Sequence, residues 1–402
     1  MHRPLGGIRV VEWGIFHAGP GSTAILCDMG AEVIKIEQVV TGDPWRQSWR
    51  YKDINFALPS GGNIAFEGAN RGKKSITIDL EHDQGKEIVY NLVKKSDIFF
   101  TNLRRSTILK MNMDYPSLSK INPKLIYASV SSYGTRGPDA GQGGFDYHGQ
   151  ARSGMMYSTG EPDMPPLVSQ FGVVDQATAI MSSYQMVIAL LMRERFGIGQ
   201  EVDVSLLSTA SYLLYLNNLT ALLTGYQIPR HEQATADALR NYYQCQDGRR
   251  VMINQPFEDN WGTVCQLLGQ PELENDPRFN CREKRMEFST DLVSIFNRVF
   301  ASKPRDEWLR LFGESNLNMC AVNTTMEAIK DPQMIENEYI VDFQHPELGQ
   351  IGIPGFPIRF SAAEINNNLA APKLGEHTEE VLREIGGYSK EEIDQFRQNG
   401  VI

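Results

Sequence analysis

The stretch IRVVEWGIFHAGPGSTAILCDMGAEVIKIE, from Ile8 to Glu37, decides the fold of this chain of 402 residues. It opens with an apolar run typical of a buried strand. Pro20 to Gly30 then follow as a helix, and Glu32 to Glu37 as a second strand. The alternation continues with strands SITIDL, DIFFTNL and LIYASVSSYG and a helix over Asp83–Ser96. Strands separated by helices predict a doubly wound parallel sheet in an α/β fold.

The length exceeds what one ordinary core uses, so we expect two domains. A long irregular stretch, residues 134–169, precedes two helical segments at Gln176–Arg195 and Leu206–Tyr226. A hairpin pattern around Asp247-Gly248 then opens a small α+β segment. We expect a large domain from residues 1–204 and 326–402, linker helices over 205–240, and a small α+β domain over 241–325.

Composition excludes several classes of protein. The net charge of −10 argues against a nucleic-acid-binding surface. Five scattered cysteines without a CxxC pair favour reduced thiols and a cytoplasmic location. The first residues hold no apolar signal segment, and no run approaches 18 apolar residues, so we expect neither secretion nor a membrane partner.

Three enzyme classes fit poorly. The first turn reads GIFHAGPGS and lacks G-x-G-x-x-G, which disfavours a nicotinamide dehydrogenase even though Glu37 ends the second strand. No G-x-S-x-G indicates an α/β-hydrolase. The seven histidines show no H-x-x-x-H or related metal-ligand spacing, which disfavours a zinc enzyme, and no metal site is expected.

Basic residues follow or precede consecutive strands of the predicted sheet. Because parallel strands bring such positions to one edge, this set predicts a phosphate-binding site, with a solvated basic face as the alternative. Its members are Arg71, Lys73, Lys74, Arg104, Arg105 and Lys110.

Asp175 is a lone carboxylate at the start of a long apolar helix, in GVVDQATAIMSSYQMVIALL. A carboxylate beside an apolar run is costly unless it is paired or functional. The local pattern alone favours a helix N-cap; a functional carboxylate is the alternative.

Ordered motifs along the whole chain resemble the class III coenzyme A transferases, the family of formyl-CoA transferase and the carnitine CoA-transferases. They are LGGIRVVEWG, HAGPGSTAILCDMGAEVIKIE, TGDPWR, NRGKKSITIDL, ASVSSYGTRGP, GVVDQATA, GIGQEVDVSL, DPRF, HPELGQI and PKLGEHTEEVL. The resemblance implies a Rossmann-like large domain built from both termini, an interlocked homodimer, and acyl-CoA and a carboxylic acid as substrates. It implies no tightly bound cofactor.

By the same resemblance Asp175 is the catalytic nucleophile. It would attack an acyl-CoA thioester to give an aspartyl-acyl anhydride, and the released thiolate would return to give an aspartyl-CoA thioester. The start of a helix suits this role, since free N–H groups there would stabilise the oxyanion and the ionised carboxylate.

Other positions also carry over. His17 and Ala18 match a Gln-Ala pair near the acyl group in formyl-CoA transferase; His17 either changes the acyl preference or is a packed loop residue. Asn70 and Lys73 match the adenine and phosphate loop, and Lys110 matches a phosphate-binding Arg. Two positions depart from the pattern: Gln38 replaces an Arg and Ser131 replaces a Lys. Arg71, Arg104 or Arg105 would then supply the missing phosphate contacts.

Substrate preference is expected to differ from that of formyl-CoA transferase, because Met252–Asp259 (MINQPFED) lacks the Gly-rich loop that shields the intermediate in that enzyme. The stretch GGFDYHGQARSGMM favours larger acyl groups, such as 2-hydroxyacyl, aryl-propanoyl or carnitine-type acids. Phe145 would line the substrate site. Arg152 is either a ligand for a substrate carboxylate or a structural ion-pair partner.

Two alternatives stay open. The related α-methylacyl-CoA racemases need a His in a GHD motif, where this chain has Gly144-Phe145-Asp146. Phe145 cannot move a proton, so this alternative requires His148 in its place. A catalytically silent CoA-binding paralogue is the other, and the presence of Asp175 argues against it.

Overall fold

A computed structural model describes residues 2–47, 49–59, 62–169, 172–255 and 258–402. Pro256 and Phe257, in the Met252–Asp259 segment, lie outside the described residues. The strands are β1 (Arg9–Trp13), β2 (Glu32–Glu37), β3 (Arg50–Tyr51), β4 (Ile54–Asn55), β5 (Lys74–Thr77), β6 (Ile98–Thr101), β7 (Ile126–Ser131), β8 (Gln200–Ser205), β9 (Arg240–Gln244), β10 (Arg250–Asn254), β11 (Met319–Val322), β12 (Ile340–His345) and β13 (Gly349–Pro354).

The helices of the described residues are α1 (Ala18–Asp28), α2 (Ile64–Asn70), α3 (Asp83–Lys94), α4 (Arg105–Lys110), α5 (Tyr115–Ile121), α6 (Asp146–Ser153), α7 (Val173–Phe196), α8 (Leu206–Leu213), α9 (Tyr215–Thr224), α10 (Trp261–Leu267), α11 (Arg282–Glu287), α12 (Ser289–Phe300), α13 (Arg305–Glu314), α14 (Thr325–Ala328), α15 (Pro332–Glu336), α16 (Thr378–Val381) and α17 (Lys390–Gln398).

The predicted parallel α/β sheet is confirmed. Within the described residues it has six strands in the order β5-β2-β1-β6-β7-β8, and every pairing is parallel. With the short β3–β4 hairpin set aside, this is the doubly wound order 3-2-1-4-5-6. The order reverses between β1 and β6, and ligands of such sheets bind outside the carboxyl ends of the strands at that point.

Alternating side chains of the sheet pack into two cores. Val10 on β1 belongs to the core on the side of α1 and α7, together with Ala18 and Met186. Its neighbour Val11 belongs to the opposite core, which α3 and the C-terminal helices cover. Both valines are fully buried, as a strand covered on both faces requires.

The chain divides into two compact units. The first comprises Met1–Met156, Val168–Tyr226 and Asn337–Ile402, and the second comprises Tyr157–Leu167 and Gln227–Glu336. The second unit contains the three-stranded antiparallel sheet β11-β10-β9, covered by aromatic and aliphatic side chains of α10, α12 and α13. The predicted hairpin is present, with Gly248 at φ 78° in its turn.

Two element predictions are corrected. The expected single helix over Leu206–Tyr226 is interrupted at Leu214, which is the C-cap of α8 and the N-cap of α9. The C-terminal sequence pattern also predicts a helix near Thr378–Ile385, which begins as α16 and continues as a π-helical turn over Leu382–Gly386. A further helix, α17, follows; its Ile393 and Phe396 are buried in the core beside α3.

Candidate active site

A cavity of about 690 Å³ opens at the point where the strand order of the parallel sheet reverses. Segments that follow β1, β6 and β7 form its walls, together with the start of α6 and of α7. The lining includes His17, Ala18, Arg104, Arg105, Phe145, His148 and Asp175. Three segments far apart in sequence therefore meet where the fold class places a ligand.

Asp175 is the third residue of α7, and its carboxylate faces this cavity. The N-cap is Gly172, which has φ 70° and no capping side chain, so the interpretation of Asp175 as a cap is wrong. Burial, together with the neighbouring Asp146 carboxylate, raises the pKa of Asp175 to about 7. The group is thus poised to change charge near neutral pH.

Asp146, the first residue of α6, supplies the capping carboxylate. Its Oδ1 accepts hydrogen bonds from the N–H groups of Val174 at 2.6 Å and Asp175 at 2.9 Å. These are two of the donors that a helix start leaves unpaired. The expectation that free N–H groups at this helix start stabilise an oxyanion is therefore corrected, because Asp146 occupies these two.

His17 lies next to the nucleophile's helix. Its Nε2 is 2.8 Å from Oε1 of Gln176, the residue after Asp175. Burial lowers the pKa of His17, and the hydrogen bond to Gln176 offsets that effect only in part. A neutral imidazole on the cavity wall is a hydrogen-bonding group and a steric wall, not a permanent cation.

The loop between β1 and α1 is held in a strained shape. Phe16 has φ 64°, which is unusual for a bulky side chain. Asn102, just after β6, accepts from Ile15 N–H at 2.9 Å and donates to Ile15 O at 2.8 Å. Asp43 accepts from the N–H of Phe16 at 3.1 Å. These contacts fix the backbone that presents His17 and Ala18.

A buried ion network supports the same loop. Lys35 on β2 donates to Glu12 and to the carbonyl of Gly14, both at 2.8 Å, and its ammonium lies 2.9 Å from Asp43. Lys73 donates to Glu12 at 2.7 Å and to the carbonyl of Pro20 at 2.8 Å. Burial raises the pKa of Glu12, but Lys35 and Lys73 outweigh burial and hold it at about 2. Two buried ammonium groups thus brace both ends of the loop.

The remaining predicted phosphate ligands lie elsewhere. Lys73 and Asn70 are buried and bond each other at 2.9 Å. Burial lowers the pKa of Lys73 to about 8. Arg71 forms a salt bridge with Asp28, Lys74 with Glu32 and Glu380, and Lys110 with Glu81. None of these five basic or amide side chains is among the cavity-lining residues.

Arg104 and Arg105 are the cations of the predicted set that the structure brings to the cavity. Arg104 forms no ion pair with any described residue, and its guanidinium lies against Gly143. A Cβ added at Gly143 would lie 2.8 Å from Arg104 Nη2, so a side chain at that position would displace the guanidinium. Arg152 instead pairs with Asp139 at 2.7 Å and stacks on Tyr133.

Aromatic rings form one end of the cavity. Phe16 packs edge-on against Phe145, with ring centroids 5.6 Å apart, and against Trp45 at 5.7 Å. Phe145 is 59% exposed although it is large and apolar, so its ring is available to a ligand. His148 lines the same cavity and accepts a hydrogen bond from the Phe145 N–H through Nδ1.

Sequence reasoning missed several residues that shape this site. Gln176 and Asn102 are neutral amides, and no sequence motif marks an amide that bonds a backbone segment 87 positions away, as Asn102 does. Asp146 entered only as part of the Gly-Phe-Asp triplet. Its acidic side chain at a predicted helix start was a usable signal, although for its own helix and not for α7.

Among the described residues, no three His, Cys, Asp or Glu side chains are grouped to hold a metal ion. No described helix combines the length and apolarity needed to cross a bilayer.

Comparison with known proteins identifies the family. The family model for CoA-transferase family III matches residues 5–378. An acyl-CoA transferase of Fusarium pseudograminearum is 32% identical, over 99% of this chain and 88% of that protein. The succinyl-CoA:glutarate CoA-transferase of Mus musculus is 31% identical, over 100% of this chain and 90% of that protein.

Solved structures agree. A CAIB/BAIF family protein from Brucella suis superposes with a TM-score of 0.84 at 31% identity, over 96% of this chain and 100% of that one. A Mycobacterium tuberculosis protein superposes with a TM-score of 0.81 at 28% identity, over 94% of this chain and 99% of that one. With a family match across most of its length, this chain belongs to CoA-transferase family III and is a CoA transferase.

Proposed function

We propose that this enzyme moves CoA from an acyl-CoA donor to a carboxylic acid through covalent intermediates on Asp175. The observation that carries the proposal is the position of Asp175: a partly buried carboxylate at a helix start, on the wall of the cavity at the sheet's reversal point. A carboxylate is a suitable acceptor, because an anhydride and a thioester are close in energy and CoA then moves without hydrolysis.

The chemistry balances at each step. A carboxylate oxygen of Asp175 attacks the thioester carbonyl carbon, the C–S bond breaks, and CoA leaves as a thiolate. The thiolate attacks Cγ of Asp175, so the donor acid leaves and an aspartyl-CoA thioester remains. The acceptor acid then reverses both steps. Asp175 is partly buried on the wall of the cavity, and an acyl-CoA that fills the cavity would keep water away from the two activated intermediates.

The CoA phosphates are proposed to bind Arg104 and Arg105 at the start of α4. Both line the cavity, and a guanidinium matches phosphate geometry in two-point hydrogen bonds. This assignment moves the phosphate site away from Lys73 and Lys110, which the structure places in the core and in a surface ion pair. CoA is a substrate here, with no tightly bound cofactor proposed.

The acyl group is proposed to be larger than formyl or oxalyl. The exposed ring of Phe145 beside Phe16 offers an apolar surface that a one- or two-carbon acid would leave uncovered. Relatives named for large acids include a (R)-2-hydroxy-4-methylpentanoate CoA-transferase and a cinnamoyl-CoA:phenyllactate CoA-transferase. We propose 2-hydroxyacyl or aryl-propanoyl acids as the substrate class, in a cytoplasmic enzyme.

The test is CoA exchange, measured by mass spectrometry of the small molecules, with a panel of acyl-CoAs and free acids. Asp175→Ala is expected to abolish exchange while the folded fraction stays unchanged. Asp114→Ala is the matched control, because Asp114 is another carboxylate on the same cavity wall. Exchange that persists in Asp175→Ala, or that is lost equally in both variants, contradicts the assignment of the nucleophile.

Phosphate binding has its own comparison. Arg104→Ala is expected to raise the Michaelis constant for the CoA donor at least tenfold, the usual scale for one charged hydrogen-bonding partner. Lys110→Ala, whose ion pair with Glu81 is largely exposed, is expected to change it less than twofold. The reverse order of effects would return the phosphate site to Lys110.

A second candidate, α-methylacyl-CoA racemisation, rests on one observation: His148 lines the same cavity as Asp175. In that case deuterium from the solvent would enter the α-carbon of a branched acyl-CoA, and His148→Gln would stop it. The CoA transferase proposal expects no such exchange, because its chemistry breaks no bond at the α-carbon.

A further inference from the structure

Hydrogen bonds from the start of α7 to the carboxylate of Asp146, on α6, hold this helix end in place. Asp146 and its partner Gln150 are called the Asp146–Gln150 bracket below. Asp146 is 6% exposed. Besides the two N–H groups of α7, it accepts from Gln150 Nε2 at 2.6 Å. Gln150 is buried too, and both ends of its amide bond the backbone of Ser169, at 2.9 and 3.1 Å. The Asp146 carboxylate is therefore held by Gln150 on one side, and on the other side it accepts a hydrogen bond from the backbone of Asp175 itself.

We propose that Asp146 is a positioning residue for CoA transfer: its buried carboxylate fixes the backbone of Asp175 and keeps a negative charge beside the nucleophile. The inference rests on the proposed role of Asp175. It adds a second carboxylate, one that touches neither CoA nor the acyl group and acts through Asp175.

The pKa of Asp175 is shifted in the direction opposite to that expected for an acid at a helix N-terminus. Free N–H groups at an N-terminus favour an anion and depress the pKa of a nearby acid. Here the N–H groups of Val174 and Asp175 point at Asp146. Burial and the Asp146 charge together raise the pKa of Asp175 to about 7. The free carboxylate of Asp175 is thus destabilised relative to any state in which its charge has left.

This destabilisation favours the covalent states. When Asp175 attacks a thioester, its negative charge moves to the departing CoA thiolate and the aspartyl group becomes neutral. The repulsion between the two carboxylates disappears in the anhydride, and it is also absent in the aspartyl-CoA thioester. Asp146 therefore stabilises both intermediates relative to the free enzyme, because its repulsion acts only on the free carboxylate.

The other described charged groups on the elements packed against α7 have partners of their own, and none of them changes the pKa of Asp175. On α1, Asp28 is paired with Arg71. On β8, Glu201 interacts with Arg105, and Asp203 accepts from Thr135. On α6, Arg152 is paired with Asp139, and His148 accepts a hydrogen bond from the N–H of Phe145. On β7, the titratable side chain is that of Tyr127, which is buried. His17 carries no charge near neutral pH because burial lowers its pKa. Among the described residues, Asp146 is the charge that acts on Asp175.

The experiment titrates Asp175 without relying on activity. The free energy of unfolding is measured from pH 4 to 9 for the wild type and for Asp175→Asn, and the difference gives the titration midpoint of Asp175. The same pair is then measured in an Asp146→Asn background, where an amide oxygen still caps α7 but the charge is gone. We expect the midpoint to fall by about one pH unit or more.

Two controls keep the result interpretable. Asp146→Ser is a second neutral capping variant, used if Asp146→Asn does not fold. Gln150→Met breaks the Asp146–Gln150 bracket without changing charge, so it is expected to reduce stability and leave the midpoint in place. A midpoint that is the same with and without the Asp146 charge, or one that Gln150→Met lowers equally, overturns the proposal.

The same variants separate this inference from the proposed function. With an active donor and acceptor pair, the acid limb of the pH profile of kcat/KM is expected to move down with the midpoint in Asp146→Asn. If CoA exchange depends on Asp175 but neither limb nor midpoint moves, the inference about Asp146 fails alone. If no exchange occurs with any substrate while the midpoint moves, the proposed function fails alone.

Discussion

At the scale of single residues, the site depends on a carboxylate, Asp175, whose charged form is destabilised by its surroundings. A carboxylate that is partly buried and placed beside a second carboxylate loses hydration and gains repulsion. The helix start would ordinarily compensate, but the N–H groups of Val174 and Asp175 are bonded to Asp146. The folded protein therefore holds a reactive anion at a cost in stability, a pattern common at functional sites.

Stability against pH reports that cost. The pKa of Asp175 is about 7 in the folded chain, above its ordinary value near 4. Between those pH values the folded state retains a proton that the unfolded state has lost, so stability falls as pH rises. Asp175→Asn removes this loss. We expect it to unfold with about 2–4 kcal/mol more free energy than the wild type at pH 8, and with little difference at pH 4.

Urea unfolding at the two pH values measures the difference. Asp139→Asn, which removes an exposed carboxylate paired with Arg152, serves as the control, since exposed pairs contribute little. Equal stability of the wild type and Asp175→Asn at both pH values would contradict a raised pKa.

Activity has the opposite dependence on pH. Only the ionised form of Asp175 attacks a thioester, so kcat/KM for the donor is expected to rise with pH through about 7 and then level off. Each unit below that pKa removes about tenfold of the reactive form. A profile that is flat from pH 5 to 8 would be inconsistent with this carboxylate as the nucleophile.

At the scale of elements, the sequence predicted the sheet well and the site only in part. Strand β2 is rich in β-branched residues between turn residues, a pattern typical of a strand, and Glu32–Glu37 is confirmed residue for residue. The break between α8 and α9 at Leu214 could not be predicted, because no Gly or Pro lies near that position in the sequence. Lys73 illustrates the limit at the site, because a basic residue near a strand end looks the same whether it faces a ligand or the core.

The loop between β1 and α1 depends on the ion network beneath it. Lys35→Met leaves the buried carboxylates of Glu12 and Asp43 without their shared cation and frees the Gly14 carbonyl. Breaking a buried pair from one side costs about 3–5 kcal/mol. We expect that loss of stability, together with reduced turnover, because His17 loses its fixed backbone.

Lys390→Met provides the comparison, since Lys390 also pairs with two carboxylates but is 56% exposed. It is expected to cost less than about 1 kcal/mol. The two variants are compared by urea unfolding and by turnover with saturating substrate. Similar small effects in both would mean that the network does not support the loop.

At the scale of the whole molecule, the helices carry apolar surface that one copy leaves uncovered. On α7, Ile180, Tyr184, Ile188 and Leu191 recur at helical spacing on the face opposite the buried one and are exposed. No residue of α9 is buried, and Leu222 is 83% exposed. Surface of this kind marks a protein interface, and we propose that a second copy of the chain covers it, as an interlocked homodimer.

Light scattering during size-exclusion chromatography tests the dimer. The wild type is expected at twice the mass of one chain, and the pair Leu222→Lys with Leu223→Lys is expected to shift it toward monomer or aggregate. Leu348→Lys, at an exposed leucine in the β12–β13 turn, is expected to leave the mass unchanged. A monomeric wild type would contradict the proposed assembly.

The central claim, covalent catalysis by Asp175, is tested most directly with an oxygen label. When an acceptor acid attacks the aspartyl-CoA thioester, one of its carboxylate oxygens becomes the anhydride bridge, and that oxygen stays on Asp175 after CoA attacks the acyl carbon. Turnover with an acceptor labelled with ¹⁸O, followed by mass spectrometry of the peptide containing Asp175, is therefore expected to show ¹⁸O in that carboxylate. Complete turnover that leaves the Asp175 peptide unlabelled would show that CoA moves by another route.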